Sequence, residues 1–282
     1  MNLFNKNAEI YISDTTNEEL ALSRTTYMSF AAHQDDVEVM ALDGILKCFG
    51  KNDQWFSCVV ATNGIGSPRS GIYSDCTSEE LRVIRNNEQK KAAFIGEYSA
   101  TVLLDYSSEN VKDKNDLHII NDFYNVLMAS KPKIIYTHNL ADKHDTHIGV
   151  VLKLIKAIRM MDKNIRPEKI YGVEVWRNLD WLDDEDKVLF DVSEHPNMVM
   201  ALISVFDSQI AGGKRYDLAT QGRQRSNATY RASHDIDKAN GVLYAMDMTE
   251  LIKDDTISVV EFINKHIDKL KNDVNNRIEK IL

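Results

Sequence analysis

The strongest constraint on this chain is an alternation: short apolar, β-prone runs separated by stretches whose apolar residues recur every three to four positions. Strand candidates fall at residues 26–32, 55–61, 100–104 and 133–137, and helical spacing fills 39–49, 79–95, 117–128 and 145–161. In the second helix, Leu81, Ile84, Glu88, Lys91, Ala92 and Ile95 follow the repeat and Gly96 ends it. Short apolar strands alternating with amphipathic helices predict a mostly parallel sheet covered on both faces, a Rossmann-like three-layer α/β fold. Ligands of such sheets bind beyond the carboxyl ends of the strands, so the segments after the first and fourth strand candidates are where chemistry is expected.

Both segments carry metal-binding residue types. The first reads Ala32-His33-Gln34-Asp35-Asp36-Val37-Glu38, and the second contains His144 and His147. A hydrolytic metal ion takes three protein ligands and keeps a position open for water. His33, Asp36 and His147 can supply the three, while Asp35, pointing elsewhere from the same turn, stays free to take a proton. His144 and His147 are three apart at a helix start, so one can bind metal while the other faces substrate. Zinc is the expected ion, although a His₂Asp site accepts several divalent metals. A lone His-x-Asp-Asp turn would only cap a helix; the second histidine pair at the same sheet edge favours the metal. His138 and Asp142, in the expected loop before His144, are placed to orient ligands.

Composition narrows the partners. The 282 residues are 43% hydrophobic and 27% charged, enough for one large α/β domain. A net charge of −9 without a Lys/Arg cluster argues against nucleic acid, and no apolar run approaches the roughly 20 residues of a membrane span. The N-terminus lacks the basic and apolar regions of a signal peptide, and Cys48, Cys58 and Cys76 are odd in number without a CxxC pair. The expectation is a cytoplasmic protein acting on a small molecule, with homo-oligomerisation open.

Residues 1–25 read as a polar, irregular N-terminal extension. Beyond residue 170 further strands are expected at 170–176 and 187–191, around an acidic turn at 178–186, followed by a helix at 196–206. Residues 251–282 are expected as a C-terminal helix packed on the same domain, its near-heptad apolar spacing giving a coiled-coil dimer as the lesser alternative. The loop Thr62-Asn63-Gly64-Ile65-Gly66-Ser67 matches no phosphate-binding pattern and is expected to line the pocket, with Asn63 a substrate contact. Arg85 and Glu88, one helical turn apart, otherwise read as a surface ion pair.

These residues resemble the PIG-L/LmbE-like family of zinc-dependent N-deacetylases acting on N-acetylglucosamine-type substrates. The family's Ala-His-Pro-Asp-Asp-Glu, or His-x-Asp-Asp-Val-Glu, stands here as Ala32 to Glu38, and its His-Pro-Asp-His as His144-Asp145-Thr146-His147. Its Arg-x-x-Glu, Ala-Ala and helix-ending Gly match Arg85, Glu88, Ala92, Ala93 and Gly96. Phe206-Asp207-Ser208-Gln209 resembles Tyr-x-Ser-Gln, and Gly241-Val242-Leu243-Tyr244-Ala245 the start of Gly-x-x-Tyr-Ala-Glu. The resemblance spans about residues 26–245 and makes 26–250 an LmbE-like deacetylase domain. It implies zinc on His33, Asp36 and His147, Asp35 as general base, His144 as oxyanion partner and proton donor, and Arg85 near the substrate.

Three positions depart from the family. Gln34 replaces the proline, Thr146 replaces the aspartate that supports the second motif's histidine, and Met246 replaces a glutamate. Asp142 or Asp145 is expected to stand in as the missing carboxylate, and the change at Met246 to alter the substrate end of the pocket. The expected activity is removal of an N-acetyl group from an amino sugar or its conjugate. The rivals are a non-catalytic sugar- or nucleotide-binding protein retaining the metal, and a metal-dependent phosphoesterase.

Overall fold

A computed structural model describes residues 1–229, 234 and 236–282. The N-terminal residues are part of the fold: β1 (Glu9–Tyr11) pairs antiparallel with residues 101–103, and α1 (Glu18–Ser23) buries Ala21 and Leu22. The alternation then follows as β2 (Tyr27–Ala31), α2 (Asp36–Met40), α3 (Leu42–Cys48), β3 (Phe56–Thr62), α4 (Ser78–Ile95) and β4 (Ala100–Tyr106). Next come α5 (Ser108–Lys112), α6 (His118–Ser130), β5 (Ile134–His138), α7 (Asp145–Arg159), β6 (Lys169–Val173) and β7 (Lys187–Asp191). The C-terminal part adds α8 (Pro196–Ser204), α9 (Asp207–Ile210), α10 (Tyr216–Asn227), β8 (Val242–Asp247), α11 (Glu250–Lys253) and α12 (Val259–Ile281).

The eight strands form one sheet in the order β1-β4-β3-β2-β5-β6-β8-β7. The five central strands are parallel; β1 on one edge and β8 beside β6 on the other run antiparallel to them, and the edge strand β7 is antiparallel to β8. Period-two alternation divides the strand residues between two apolar layers. Met28, Phe30, Val59, Ala61, Val102 and Leu104 enter one cluster, while Ala31, Cys58, Val60 and Leu103 enter the other. Helices α6 and α7 close the first face and α3 the second, which makes three layers.

Local chemistry sets the helix limits. Thr77 and Glu80 form a capping box at the start of α4, each accepting from the other's backbone N–H, and Gly96 caps its end. The helix expected at 39–49 is two pieces, because Ala41, at φ −110° and ψ 18°, leaves helical geometry between α2 and α3. In α12 only Phe262 is buried and Ile263 packs on the core; Ile267, Val274, Ile278 and Ile281 are exposed. Its later turns therefore do not share the packing expected for the whole segment.

The functional feature of this topology is a reversal. From β2 the chain crosses to β3 on one side, whereas β5 pairs with β2 on the other, from Tyr27 with Ile134 to Phe30 with Thr137. Neighbouring strands whose connections leave in opposite directions open a crevice at their carboxyl ends. The turn after β2 and the start of α7 meet there.

Candidate metal centre and active site

The crevice gathers donors from both segments. His33 Nδ1 lies 3.1 Å from Asp36 Oδ2 and 3.3 Å from His147 Nε2, and the last two atoms are 3.4 Å apart. Bonds of about 2.0–2.1 Å to a tetrahedral ion place donor atoms roughly 3.3–3.4 Å from one another. The triangle is therefore sized for one face of such a site, and the mixed imidazole and carboxylate set suits zinc or a related divalent ion. His147 and Asp36 are buried while His33 is partly open, so the face is accessible from one side.

Electrostatics keep Asp36 ionised. Burial alone would raise its proton affinity, but the imidazoles of His147, His33 and His138 outweigh burial and hold it well below the usual carboxylate range. Asp36 Oδ2 also accepts from the His33 backbone N–H at 2.8 Å, tying the turn together. Asp35 behaves in the opposite way. Burial raises its affinity for a proton well above normal, more than the Arg85 guanidinium lowers it. Two adjacent carboxylates thus differ in proton affinity, one suited to a cation and one to proton transfer.

The backbone presents Asp35 at a local cost. Its φ of 95° is left-handed for a residue with a side chain, a strain typically of about 1–3 kcal/mol. Its N–H donates to Gln89 Oε1 at 3.3 Å, and Arg85 Nη2 reaches its Oδ2 at 3.3 Å. Arg85 is only 2% exposed, so the surface-pair reading of Arg85 and Glu88 does not hold. Its Nη2 donates to the Gln34 carbonyl at 2.6 Å and its Nη1 to that of Gly64 at 3.0 Å and to Ser67 Oγ. Glu88 accepts from the Ser208 backbone and hydroxyl at 2.7 and 2.6 Å.

Close approach explains the glycine of the 62–67 loop. Gly64 has φ +69°, and a Cβ there would meet Gln34 Oε1 at 2.4 Å and Arg85 Cδ at 3.0 Å. Gly64, Gly66 and Ser67 line the cleft, as expected of this loop. Asn63 does not: its Oδ1 accepts from Ile65 N at 3.3 Å, and it sits beside Arg82 and Asp105 in a separate depression.

Of the two carboxylates expected to stand in for the one missing at Thr146, one reaches a histidine of the second motif and the other does not. Asp142 Oδ2 lies 3.0 Å from His147 Nδ1 and accepts from Val175 N at 3.1 Å. It orients His147, not the ring of His144. Asp145 is exposed and makes no side-chain hydrogen bond or ion pair among the described residues. His144 instead caps α7, its Nδ1 accepting from Thr146 N at 3.3 Å. With Nδ1 an acceptor, the neutral ring carries its proton on Nε2. Burial, followed by the neighbouring His147 and His33, lowers its proton affinity.

His138 is a strand residue, not a loop residue. It ends β5, fully buried, and its Nε2 accepts from Ala32 N at 2.9 Å, holding the first motif's turn to the neighbouring strand. Its ring stacks on His147 at 3.8 Å. His138, Asp142 and His147 form a second convergent trio. Two of these contacts brace the first motif and its ligand His147, with Ala32 N–H on His138 Nε2 and Asp142 on His147 Nδ1, while His138 Nδ1 is buried with no hydrogen-bond partner among the described residues. Met246 is equally removed from the cleft: it is buried in β8, its sulfur 3.4 Å from Asn139 Nδ2. A change there does not alter the substrate end of the pocket.

The cleft encloses about 420 Å³. Besides the motif residues it is walled by Val175, Trp176, Gln209, Lys214, Tyr216 and Arg223, none of which sequence reasoning placed at the site. The acidic turn at 178–186 does not line it. The available signals were Trp176, at the carboxyl end of a strand expected at 170–176, and Gln209, in the Phe206-Asp207-Ser208-Gln209 match.

Fold and site together define a Rossmann-like α/β protein with a candidate mononuclear metal centre at its topological switch point. Residues 28–158 match the profile of the PIG-L family, described as GlcNAc-PI de-N-acetylase. No functionally curated protein matches the chain by sequence. Among solved structures it is similar to a conserved protein from Thermus thermophilus, with TM-score 0.61 and 14% identity over 79% of this chain and 94% of that one. It is also similar to N,N'-diacetylchitobiose deacetylase from Pyrococcus horikoshii, with TM-score 0.60 and 12% identity over 79% and 84%. A third likeness is to 4-carboxy-2-hydroxymuconate hydratase from Pseudomonas putida, with TM-score 0.53 and 16% identity over 78% and 95%. At these identities the likeness is one of fold, the LmbE-like α/β architecture. The presence of a hydratase among them leaves the reaction to be argued from the site.

Proposed function

We propose that this protein is a metal-dependent N-deacetylase that removes the acetyl group of an N-acetylglucosamine-type amino sugar or conjugate. The observation that carries the reading is the three-donor triangle of His33, Asp36 and His147 with Asp35, outside it, on the wall of the same cleft. Zinc or another divalent ion held there supplies Lewis acidity toward an amide carbonyl and toward water.

The chain's own groups carry the proton chemistry. Asp35 is the general base, and burial in the cleft gives its carboxylate the raised proton affinity that such a role needs. Arg85 keeps that carboxylate in place from behind and limits the rise. His144 is partly exposed in the cleft, with its Nδ1 engaged by Thr146 N–H. Its Nε2–H donates a hydrogen bond to the carbonyl oxygen as negative charge develops, and the proton that Asp35 takes from water is the one delivered to the departing amine. Trp176 and Tyr216 restrict water on the remaining side. Cleavage of the C–N bond gives acetate and a free amine.

The test is acetate release from N-acetylglucosamine derivatives by zinc-reconstituted protein, with Asp35→Asn as control. The variant is expected to bind metal normally and to lose on the order of 10²-fold or more in kcat. A near-normal rate in Asp35→Asn removes Asp35 as the base, and absence of acetate from every amino sugar removes the deacetylase reading.

A further inference from the structure

Arg85 holds Asp35, and it is itself held by more than that carboxylate. Its Nη hydrogens meet four acceptors: the carbonyls of Gln34 and Gly64, Ser67 Oγ, and Asp35 Oδ2 at 3.3 Å. The Asp35 contact is the longest of the four and lies near the limit for a hydrogen bond, so a small displacement of Arg85 loses it.

From Ser67 a chain of hydrogen bonds leads away from the base. Ser67 Oγ donates to Gln209 Oε1 at 3.2 Å, Gln209 Nε2 donates to Ser208 Oγ at 3.1 Å, and the Ser208 hydroxyl donates to Glu88 at 2.6 Å. Glu88 and Arg85 stand one turn apart on α4, so the chain closes into a ring through α4, α9 and the 62–67 loop. The neighbours fix the orientation of the Gln209 amide. Ser67 Oγ receives the Arg85 N–H and gives its own proton to Gln209, while the Ser208 proton goes to Glu88 and leaves Ser208 Oγ to accept from Gln209. Arg85, Glu88, Ser208 and Gln209 are almost fully buried. Buried polar groups cost stability unless they are paired, and a paired ring of them is rigid.

Two features separate positioning from simple tethering. Joining α9 to α4 needs only the Glu88 carboxylate, which accepts from the Ser208 backbone N–H at 2.7 Å as well as from its hydroxyl. The further links through Gln209 and Ser67 add a path whose other end is Asp35. Gln209 also lines the cleft, and the turn that carries it is anchored by Phe206, buried at the start of α9.

We propose that Gln209 is a positioning residue for the reaction: through Ser67 it fixes the Arg85 guanidinium and so the direction of the Asp35 carboxylate. The inference rests on the deacetylase reading for the step in which Asp35 takes its proton.

Two measurements on the zinc-loaded protein test it. Nitrogen NMR of isotopically labelled arginine observes the Arg85 guanidinium itself, its signals assigned by their loss in Arg85→Lys. A guanidinium held at both Nη groups rotates slowly and gives separate Nη resonances; exchange between them is expected to accelerate about tenfold in Gln209→Leu and in Ser67→Ala. Ser67 is only partly buried, so its variant carries the test if Gln209→Leu lowers the melting temperature. The second measurement is acetate release from methyl N-acetylglucosaminide. In both variants kcat is expected to fall about ten- to a hundredfold while KM stays within about twofold, because misdirecting a base costs rate and not binding. Ser67→Thr, which keeps the hydroxyl, is expected to recover most of both losses. On an Asp35→Asn background Gln209→Leu is expected to cost nothing further, since the group it directs is gone. Unchanged guanidinium exchange in both variants overturns the inference, as does a kcat loss that persists in full on the Asp35→Asn background or a loss carried by KM alone. Absence of acetate from every amino sugar, with Arg85 loosened as expected, overturns the deacetylase reading and leaves the positioning of Arg85 standing.

Discussion

Asp142 shows how one side chain decides the working state of another. Its Oδ2 faces His147 Nδ1 and also accepts from Val175 N, which directs the opposite ring nitrogen at Asp36 and His33. The carboxylate missing at Thr146 is therefore not restored to His144 by either candidate. Asp142→Asn is expected to weaken metal binding by roughly 10- to 100-fold, measured by competition with a chromogenic chelator, whereas Asp145→Asn leaves it unchanged. Equal affinities for the two variants would assign no role to the Asp142–His147 contact. The residues that converge were legible because two short motifs followed strands at one sheet edge. His138 was misplaced in a loop because β5 runs one residue beyond the strand end that its apolar pattern marks. Asn63 was misjudged because its side chain folds back on its own turn, which no residue spacing reveals.

At the scale of elements, legibility followed hydrophobic periodicity. The parallel strands and α4, α6 and α7 carry it and were readable. Helix α10 buries Thr220, Gln224 and Asn227, so its inner face is polar and leaves no apolar stripe. Strand β1 is a three-residue edge too short to show a pattern, and β8 was readable only as part of a motif. Both α10 and the segment after β6 build the cleft wall, so that wall was the part of the site that sequence reading left blank. The segment after β6 turns on Glu174, whose carboxylate accepts from Leu179 N at 2.6 Å and Trp181 Nε1 at 2.9 Å. These bonds hold Leu179, buried at φ 55°, against the core. Burial raises the pKa of Glu174 above the usual glutamate value, more than the two donors lower it. A carboxyl with a raised folded pKa binds more protons folded than unfolded, so its contribution declines as pH rises from the unfolded pKa of about 4.3 through the folded one. Glu174→Gln orphans one donor but does not titrate. The melting temperature of the native chain, taken relative to this variant, is expected to fall across that window in a pH series. A constant difference would mean that Glu174 titrates alike in both states.

For the whole molecule, the switch point couples chemistry to stability. His33 and His147 are 114 residues apart in sequence, and they meet because β2 and β5 are adjacent while their connections leave in opposite directions. The sheet and its two apolar layers do not depend on an ion, since their clusters contain none of the three ligands. A metal ion held by these residues would therefore bind a site already built in the folded chain and absent from the unfolded one. An ion at about a thousand times its dissociation constant stabilises such a fold by roughly 4 kcal/mol, a shift on the order of 10 °C for a chain of this size. Chelation is expected to lower the melting temperature by that order and to abolish acetate release, while the far-ultraviolet circular dichroism spectrum at about 25 °C stays unchanged. Zinc should restore both. The two aspartates separate the causes: His147→Ala and Asp36→Ala are expected to lose the metal-dependent shift, and Asp35→Asn to keep it while remaining inactive. If Asp35→Asn lost the shift as well, Asp35 would belong among the ligands, and the proton acceptor would have to be sought elsewhere on the cleft wall.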